Sequence, residues 1–196
     1  MMSEFGVDYR VVKSALSELE KDGLLTHPHT SAGRIPTERG WQLYVGHLMK
    51  LKSVNAKVQK QLNKDWQTKE EIAIKQSAKI IAEYVDSAVI VAFDANNVYY
   101  TGISYLFSQP EFSDVESTVN VSAIFDTCEE ILPDLFNLLN EMNEPSVSIG
   151  SENPFGSVCG MVGTGLGKDS VLVILGPMRM DYAKALSTIN YIQTLA

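Results

Sequence analysis

Two short apolar runs in the second half of the chain set its fold class. Ala88–Phe93 and Val171–Leu175 are six and five residues long. A membrane-spanning helix needs about 20 apolar residues, so neither run can cross a bilayer. Ala88–Phe93 is interpreted as a strand, and Val171–Leu175 lies within a second strand candidate, Ser170–Leu175. Strand and helix candidates alternate in this half of the chain, which predicts an α+β sheet domain.

The segments around these runs predict an α+β domain over residues 86–196. Asp94–Asn97 is a good turn sequence and joins Ala88–Phe93 to a second strand as a hairpin. Pro133 lies within a predicted helix and fits best near a first turn or at a kink. The remaining elements follow from periodicity: strands at Val98–Ile103, Val147–Gly150, Val158–Val162 and Ser170–Leu175, helices at Glu129–Met142 and Asp181–Leu195, and an ambiguous segment at Glu111–Asp126.

The first forty residues predict a helix followed by a β-wing. In the helix, Val7–Asp22, Asp8 is a plausible N-cap and Gly23 a C-terminal stop. Its apolar side consists of Val12, Leu16 and Leu19. Short strands at Leu24–Thr26 and Ile35–Pro36 then flank a turn-rich tip, His27–Arg34.

A helical linker is predicted over residues 41–85. Thr37 and Glu38 can cap its first helix, and Thr68–Glu71 has the form of a capping box that begins the second. The first helix carries apolar residues at a mean spacing of about 3.6, which indicates one continuous stripe: Trp41, Tyr44, Leu48, Leu51, Val54, Val58, Leu62 and Trp66. We therefore expect a partial winged helix at 1–40, a linker at 41–85 and a sheet domain at 86–196.

The net charge of −8 conceals two halves of opposite sign. Residues 1–79 hold thirteen Lys/Arg and nine Asp/Glu, whereas residues 80–196 hold three and fifteen. An acidic body of this kind favours solubility, and a basic end can approach a polyanion.

The cysteines and the start of the chain exclude several classes of protein. Cys128 and Cys159 form no CxxC pair, so neither a disulfide framework nor a zinc cluster is expected, and both are interpreted as buried reduced thiols. Residues 1–8 contain Glu4 and Asp8 and show no secretory signal. A cytoplasmic protein is the expectation.

No motif in the sequence predicts catalysis or a cofactor. The glycine-rich segment Gly163–Lys168 is not a Walker loop, because Val162 and Asp169 stand where that loop needs glycine and Ser or Thr. We interpret it as a turn between strands. The three histidines show no HExxH spacing, and no serine or cysteine lies in a nucleophile motif. We expect neither an enzyme nor a metal site.

The better chemical signal is the amino-terminal helix and wing. Tyr9, Arg10, Lys13 and Ser14 share the polar side of the helix, where cationic side chains can meet phosphates or guanine edges in the major groove. Arg34 follows the glycine at the tip of the wing and can reach an adjacent backbone or minor groove. These five residues are the candidate contacts to double-stranded DNA.

Three separated blocks of sequence carry a resemblance to a known family. With these blocks in order, the chain resembles the bacterial heat-inducible transcription repressors of the HrcA family. The blocks are Leu19–Leu25 followed by His29–Thr37, Gly102–Leu106 with Gln109–Phe112, and Ile149–Pro154 with Gly176–Ala183.

The resemblance implies a repressor with a winged helix, a GAF-like domain and an inserted dimerisation domain. Such proteins bind an inverted-repeat operator upstream of chaperone operons, and their active form depends on the GroE chaperonin. On this resemblance Tyr9, Arg10, Lys13 and Ser14 match the recognition helix and Arg34 matches the wing. The GAF-like part need not bind a nucleotide.

The sequence departs from the family pattern in two places. The family has helices before the recognition helix, whereas this chain begins at Met1, so we expect an incomplete winged helix. Only a turn separates Phe93 from Val98, where the family carries its inserted domain. We therefore expect the stripe from Trp41 to Trp66 to pair two chains as a homodimer.

Two functions from different classes follow. The first is a compact repressor of chaperone genes that binds operator DNA. The alternative is a truncated relative that no longer binds DNA and acts as an interaction module with a full-length repressor or the chaperonin.

Overall fold

The structure is a computed structural model that describes residues 8–27, 33–68, 70–113, 115–141, 144–167 and 170–195. The chain divides into two compact units, residues 1–49 and residues 50–196. Within the described ranges, no helix has the length and apolarity needed to cross a membrane.

The first unit contains the helix and the short strands at the expected places. Helix α1 spans Tyr9–Lys21 and is capped by Asp8 as predicted. Strands β1 (Leu25–Thr26) and β2 (Ile35–Pro36) pair antiparallel, and α2 (Glu38–Leu43) follows. The predicted tip lies partly outside the described residues, because the structure leaves out 28–32.

The prediction of one continuous helix from Trp41 to Trp66 is wrong. After α2 the chain forms a π-helical turn over Tyr44–Leu48, and Met49 has extended backbone. A new helix, α3, spans Ala56–Trp66, and its N-cap Asn55 accepts a hydrogen bond from the Lys57 amide. An apolar period of 3.6 cannot reveal such a break, because the period continues through a segment that is not helical.

The break also removes the predicted pairing surface. The last four residues of the stripe are buried within the second unit, while Leu48 and Leu51, near the break, are exposed. A stripe divided in this way cannot form a single seam between two chains. The homodimer itself stays a prediction.

A five-stranded antiparallel sheet organises the second unit. Its strands lie in the order β4-β3-β7-β6-β5, with β3 and β4 forming the predicted hairpin. The strands are β3 (Ala88–Asp94), β4 (Asn97–Thr101), β5 (Ser146–Ile149), β6 (Cys159–Gly165) and β7 (Val171–Pro177).

Helices cover the sheet on both faces. Residues Ile90, Met161 and Val173 join one core with side chains of α5 (Ile103–Phe107), α6 (Val115–Asp126) and α7 (Cys128–Glu141). Side chains alternate along a strand, so Val89 and Ile174 face the opposite layer. Helices α4 (Glu71–Val85) and α8 (Tyr182–Gln193) contact the sheet and one another, and each buries an apolar side.

The segments predicted as ambiguous or interrupted are helical. Residues 110–112 form one 3₁₀ turn before α6, and Gly150–Glu152 forms another after β5. Pro133 is the sixth residue of α7 rather than part of its first turn, and Met142, the predicted end of that helix, lies outside the described residues.

Helices α3 and α4 belong to the sheet unit, although the sequence placed them in a linker. They pack on each other, and Tyr191 of α8 donates a hydrogen bond to Asn63 of α3. The predicted capping box is wrong: α4 begins at Glu71, and the Thr68 hydroxyl instead accepts from the Glu70 amide. The boundary at residue 49 follows from burial, because Leu62 and Trp66 need the apolar side of α4 to leave water.

The glycine-rich segment is part of a strand before it becomes a turn. Gly163 and Gly165 lie in β6, where a Cβ atom at residue 163 would stand 2.9 Å from Leu139 of α7. These glycines permit close packing of a helix on the sheet. The predicted positions Lys168 and Asp169 lie outside the described residues.

Both cysteines are buried free thiols, as predicted. Burial raises the pKa of Cys159 to about 12 and also raises the pKa of Cys128. Each side chain therefore acts as a small apolar group in the core.

Replacing Gly102 with alanine is expected to destabilise the sheet unit strongly. Gly102 has a φ of +71°, and a Cβ there would lie 2.5 Å from the Ser87 carbonyl oxygen and 2.6 Å from the Ala82 Cβ. The left-handed backbone costs about 1–2 kcal/mol and the overlap about 1–3 kcal/mol more. Urea unfolding followed by circular dichroism measures the loss. Gly156→Ala is the control, because its φ is also positive but nothing lies within 4 Å; equal losses would contradict this account.

The buried thiols predict a dependence on pH. In Cys128→Ala protein, Cys159 should stay unreactive toward a thiol reagent at pH 8 until urea unfolds the chain. The native thiol keeps its proton up to about pH 12, whereas an ordinary thiol loses it near 9. The thiol's contribution to the free energy of unfolding is thus complete below about pH 9 and declines as the pH rises toward 12. Reaction of the folded protein at the unfolded rate would contradict this burial.

Candidate nucleic-acid interface

The four candidate residues of α1 lie on one exposed side of the helix. Arg10, Lys13 and Ser14 are exposed, and Tyr9 is 58% exposed. Positions i, i+1, i+4 and i+5 occupy neighbouring rows of a helix surface. A 13-residue helix is about 20 Å long and of the width that a major groove admits. The structure therefore brings these four side chains together on a surface suited to a groove.

The ends of α1 are fixed by hydrogen bonds rather than by a core. The Asp8 carboxylate accepts from the Arg10 amide at 2.7 Å, which orients the first turn. At the other end Gly23 has a φ of +71° and the Leu24 amide donates to the Leu19 carbonyl oxygen. This left-handed termination turns the chain directly into β1.

Arg34 is held against the end of α1. Its Nε donates to a Glu20 carboxylate oxygen at 3.0 Å, and the arginine side chain is 25% exposed. The other Glu20 oxygen lies 3.4 Å from Nε2 of His27. Glu20 thus contacts the residues that follow β1 and precede β2. Arg34 does not share the exposed side formed by the other four candidates.

Sequence analysis missed three basic side chains in the same unit. Lys21 is exposed on the polar side of α1, one turn beyond Ser17, and it lines a cleft of about 650 Å³ together with Arg39 and His47. Arg39 also donates to the Asp22 carbonyl oxygen at 3.3 Å. The spacing of Arg39 and Leu43 was the signal, since residues four apart lie on the same side of α2, and His47 follows in the π-helical turn.

The apolar side of α1 has only partial cover. Val12 and Leu16 are half-buried, Leu19 is 39% exposed, and no described residue of the first unit is buried. A unit of this size buries little surface on its own. The polar side of α1 is thus available to a ligand, while the opposite side remains available to a partner.

Two of the sequence blocks meet in the second unit. Arg179 contacts the Glu111 carboxylate, and its Nη2 donates to Gln109 at 3.1 Å, while Gln109 donates to Asp86 at 3.3 Å. A cleft of about 300 Å³ is lined by Asp86, Gln109 and Arg179 together with Lys184. The Glu111 carboxylate already pairs with Arg179, so the network ties the segment after β7 to the turn before α6.

Comparison with known proteins identifies one family repeatedly. Residues 47–186 match the family model described as HrcA protein C terminal domain. The heat-inducible transcription repressor HrcA of Ruminiclostridium cellulolyticum is 22% identical over 300 aligned positions, which cover 97% of this chain and 86% of that protein. Since this chain has 196 residues, at least 104 of those positions have no counterpart in it.

Two other relatives align with this chain over a smaller share of their own length. The repressor of the same name from Methylococcus capsulatus is 25% identical over 168 residues, 85% of this chain but 44% of that protein. The one from Acetivibrio thermocellus is 47% identical over 47 residues, 24% of this chain and 13% of that protein. This chain therefore spans less than half of these two relatives.

A solved structure has a similar fold. The crystal structure of a hypothetical protein at 2.2 Å resolution matches with a TM-score of 0.66, covering 98% of this chain and 86% of that chain. The sequence identity is 12%, so the likeness concerns the fold alone.

Replacing Glu20 with glutamine is expected to loosen the pairing of β1 with β2. The change keeps the size of the side chain but removes the charge that faces Arg34 and His27. A partly exposed ion pair contributes up to about 1 kcal/mol, so amide exchange should accelerate up to about 5-fold. The amide to follow is that of Thr37, which donates to the Leu24 carbonyl oxygen at 3.0 Å.

Glu18→Gln is the matched control for this measurement. Glu18 is exposed on the same helix, and its carboxylate has no ion-pair partner among the described residues. Equal exchange at Thr37 in both variants would show that Glu20 does not hold this part of the unit.

Proposed function

This chain belongs to the HrcA family, and from that premise we propose that it is a transcriptional repressor of heat-shock genes. Relatives named heat-inducible transcription repressor align along most of the chain, which supports this function. Because these relatives are regulators, we propose no catalytic activity for this chain.

The observation that carries the proposal is the exposed polar side of α1. Tyr9, Arg10, Lys13 and Ser14 lie on it together, on a helix that leads into an antiparallel pair of short strands. A helix and a β-wing is the arrangement in which the helix reads base edges and the wing contacts the backbone nearby. We propose that the first unit binds an inverted-repeat operator upstream of a chaperone operon in this way.

Arg34 takes a different role in this proposal from that of the α1 residues. Its ion pair with Glu20 holds the guanidinium close to the end of α1. A DNA phosphate would compete with the Glu20 carboxylate for the same donors. We propose that Arg34 exchanges its partner when the wing approaches the duplex, and that it contributes less to affinity than Arg10.

The partners follow from the same family premise. We propose that two copies align their wings on the two halves of the operator, since a two-fold repeat matches a two-fold dimer. We also propose that the GroE chaperonin supports the active form, so that repression declines when heat diverts the chaperonin to unfolded proteins.

One observation favours the interaction-module alternative. No described residue of the first unit is buried, and the apolar side of α1 is only partly covered. A full-length repressor or the chaperonin could supply the missing cover. In that case the first unit would serve to join this chain to a partner rather than to DNA.

Binding to an operator duplex tests the repressor function. Fluorescence anisotropy should show tighter binding to the inverted repeat of a chaperone promoter than to a scrambled duplex of the same composition. Arg10→Ala should weaken operator binding by about 5- to 150-fold, the equivalent of about 1–3 kcal/mol for a base contact, and should reduce the preference. Arg34→Ala should have a smaller effect.

The control for Arg10 is Lys79→Ala. Lys79 is an exposed cation on α4 in the other unit, so its loss should leave the preference unchanged. Equal binding of both duplexes by the wild-type protein would reject the repressor function. Co-purification with a full-length repressor or the chaperonin, without operator binding, would support the alternative.

A further inference from the structure

The positive charge is distributed differently between the two structural units than between the two halves of the sequence. Residues 1–49 hold five Lys/Arg and six Asp/Glu, a net charge of −1. Residues 50–79 hold eight lysines and three Asp/Glu, a net charge of +5. The basic surplus therefore lies in the first helices of the sheet unit and not in the unit that carries the candidate recognition helix.

Three of these lysines form a row on α3. Lys57, Lys60 and Lys64 are all exposed, and they follow one another at i, i+3 and i+7. Val58, Leu62 and Trp66 occupy the opposite side of the helix and are buried. The core thus fixes the rotation of α3 and directs the lysine row away from the sheet.

The row has no acidic partner in the part of the chain that the structure describes. Lys52 pairs with Asp181 and Lys75 with Glu71, whereas no ion pair joins any of the three lysines of the row. The single acidic residue of α3, Asp65, accepts a hydrogen bond from the Ser77 hydroxyl.

This arrangement is unfavourable for the helix by itself. Like charges at i, i+3 and i, i+4 each destabilise a helix by about 0.2–0.5 kcal/mol. An acidic residue on the same side would relieve this repulsion, and the row contains none. A surface of this kind is stabilised by binding a polyanion, because each ammonium group then gains a counter-charge.

The spacing of the charges fits a nucleic-acid backbone. From residue 57 to residue 64 the helix rises about 10.5 Å, since each residue adds about 1.5 Å. One strand of duplex DNA places a phosphate every 3.4 Å or so along the axis, so about three phosphates occupy the same length. Three flexible lysines therefore meet about three phosphates.

We propose that the lysine row of α3 is a second contact to DNA, which binds the phosphate backbone without reading the sequence. This inference rests on the proposed function, because it assumes that the protein meets a duplex. The α1 surface discriminates between sequences, and the row adds affinity that is equal for all duplexes.

The test is the salt dependence of binding to the scrambled duplex. Each phosphate contact contributes about −0.9 to the slope of log affinity against log salt concentration. The triple variant Lys57→Gln, Lys60→Gln, Lys64→Gln should make the slope shallower by about 2.7 for each bound chain if all three contacts are lost. The ratio of operator to scrambled affinity should stay unchanged. Glutamine has nearly the same helix propensity as lysine, so α3 should remain folded, which circular dichroism checks.

A matched triple variant controls for the loss of net charge. Lys52→Gln, Lys79→Gln, Lys184→Gln removes three positive charges from the same unit but none from α3, and it should leave the slope within about 0.9 of wild type. An unchanged slope in the row variant, or an equal change in both triple variants, would overturn the proposal. So would a wild-type protein that binds no duplex at low salt.

These measurements distinguish a DNA contact of the lysine row from two other matters: whether the protein recognises an operator, and whether the row instead pairs with a second copy of the chain. A wild-type protein that binds both duplexes equally contradicts the operator function, while the slope on the scrambled duplex still decides the role of the row. The acidic side of α7 in a second copy, with Glu129, Glu130 and Asp134 exposed, is the competing partner. Sedimentation that shows a wild-type dimer and a monomeric row variant, with unchanged DNA slopes, would assign the row to that dimer instead.

Discussion

The structure depends on two central strands that are apolar on both faces. Every residue of β7 and the first five residues of β3 are buried, so neither face of the sheet can be left in water. Burial of each large side chain contributes about 1.5–3 kcal/mol, which obliges the chain to supply a helical layer on each side. Helices α5, α6 and α7 form one layer, and α4 and α8 form the other. The lysine row follows from this requirement, because α3 packs on α4 with its apolar side and leaves the opposite side to solvent.

The first unit is built on a different principle. It has no buried residue in its described part, and its geometry comes from local hydrogen bonds and one carboxylate. Asp8 and Gly23 fix the two ends of α1, Thr37 caps α2 and donates to the Gly23 carbonyl oxygen, and Glu20 contacts Arg34. Such contacts fix the orientation of the helices and strands but contribute little to the free energy of unfolding. A partner that covers the apolar side of α1 would therefore have a large effect on the stability of this unit.

In the proposed binding to a duplex, the two units have different roles. The polar side of α1 offers an aromatic, two cations and a hydroxyl, which is the chemistry of base recognition. The row on α3 offers three like charges at regular spacing, which is the chemistry of backbone attachment. A protein of net charge −8 gains from such a concentrated row, since its overall field repels DNA.

The sequence by itself determined the local structure of this protein. Asp8 and Gly23 bounded α1, the turn at Asp94–Asn97 produced the β3–β4 hairpin, and the runs Ala88–Phe93 and Val171–Leu175 became central strands. Each of these depends on residues close together in the chain. The resemblance to the HrcA family was likewise carried by short blocks of consecutive residues.

Tertiary structure alone decided three features of the segment from Trp41 to Trp66: where its helix breaks, to which unit each part belongs, and which side of it faces solvent. The apolar period from Trp41 to Trp66 is the same on both sides of the break at Met49, but only Val54, Val58, Leu62 and Trp66 have a sheet unit to enter. Likewise Glu20 and Arg34 are fourteen residues apart, and only the paired strands bring them together. An apolar repeat indicates which residues are buried. It does not indicate what they pack against, because that surface is formed by distant parts of the chain.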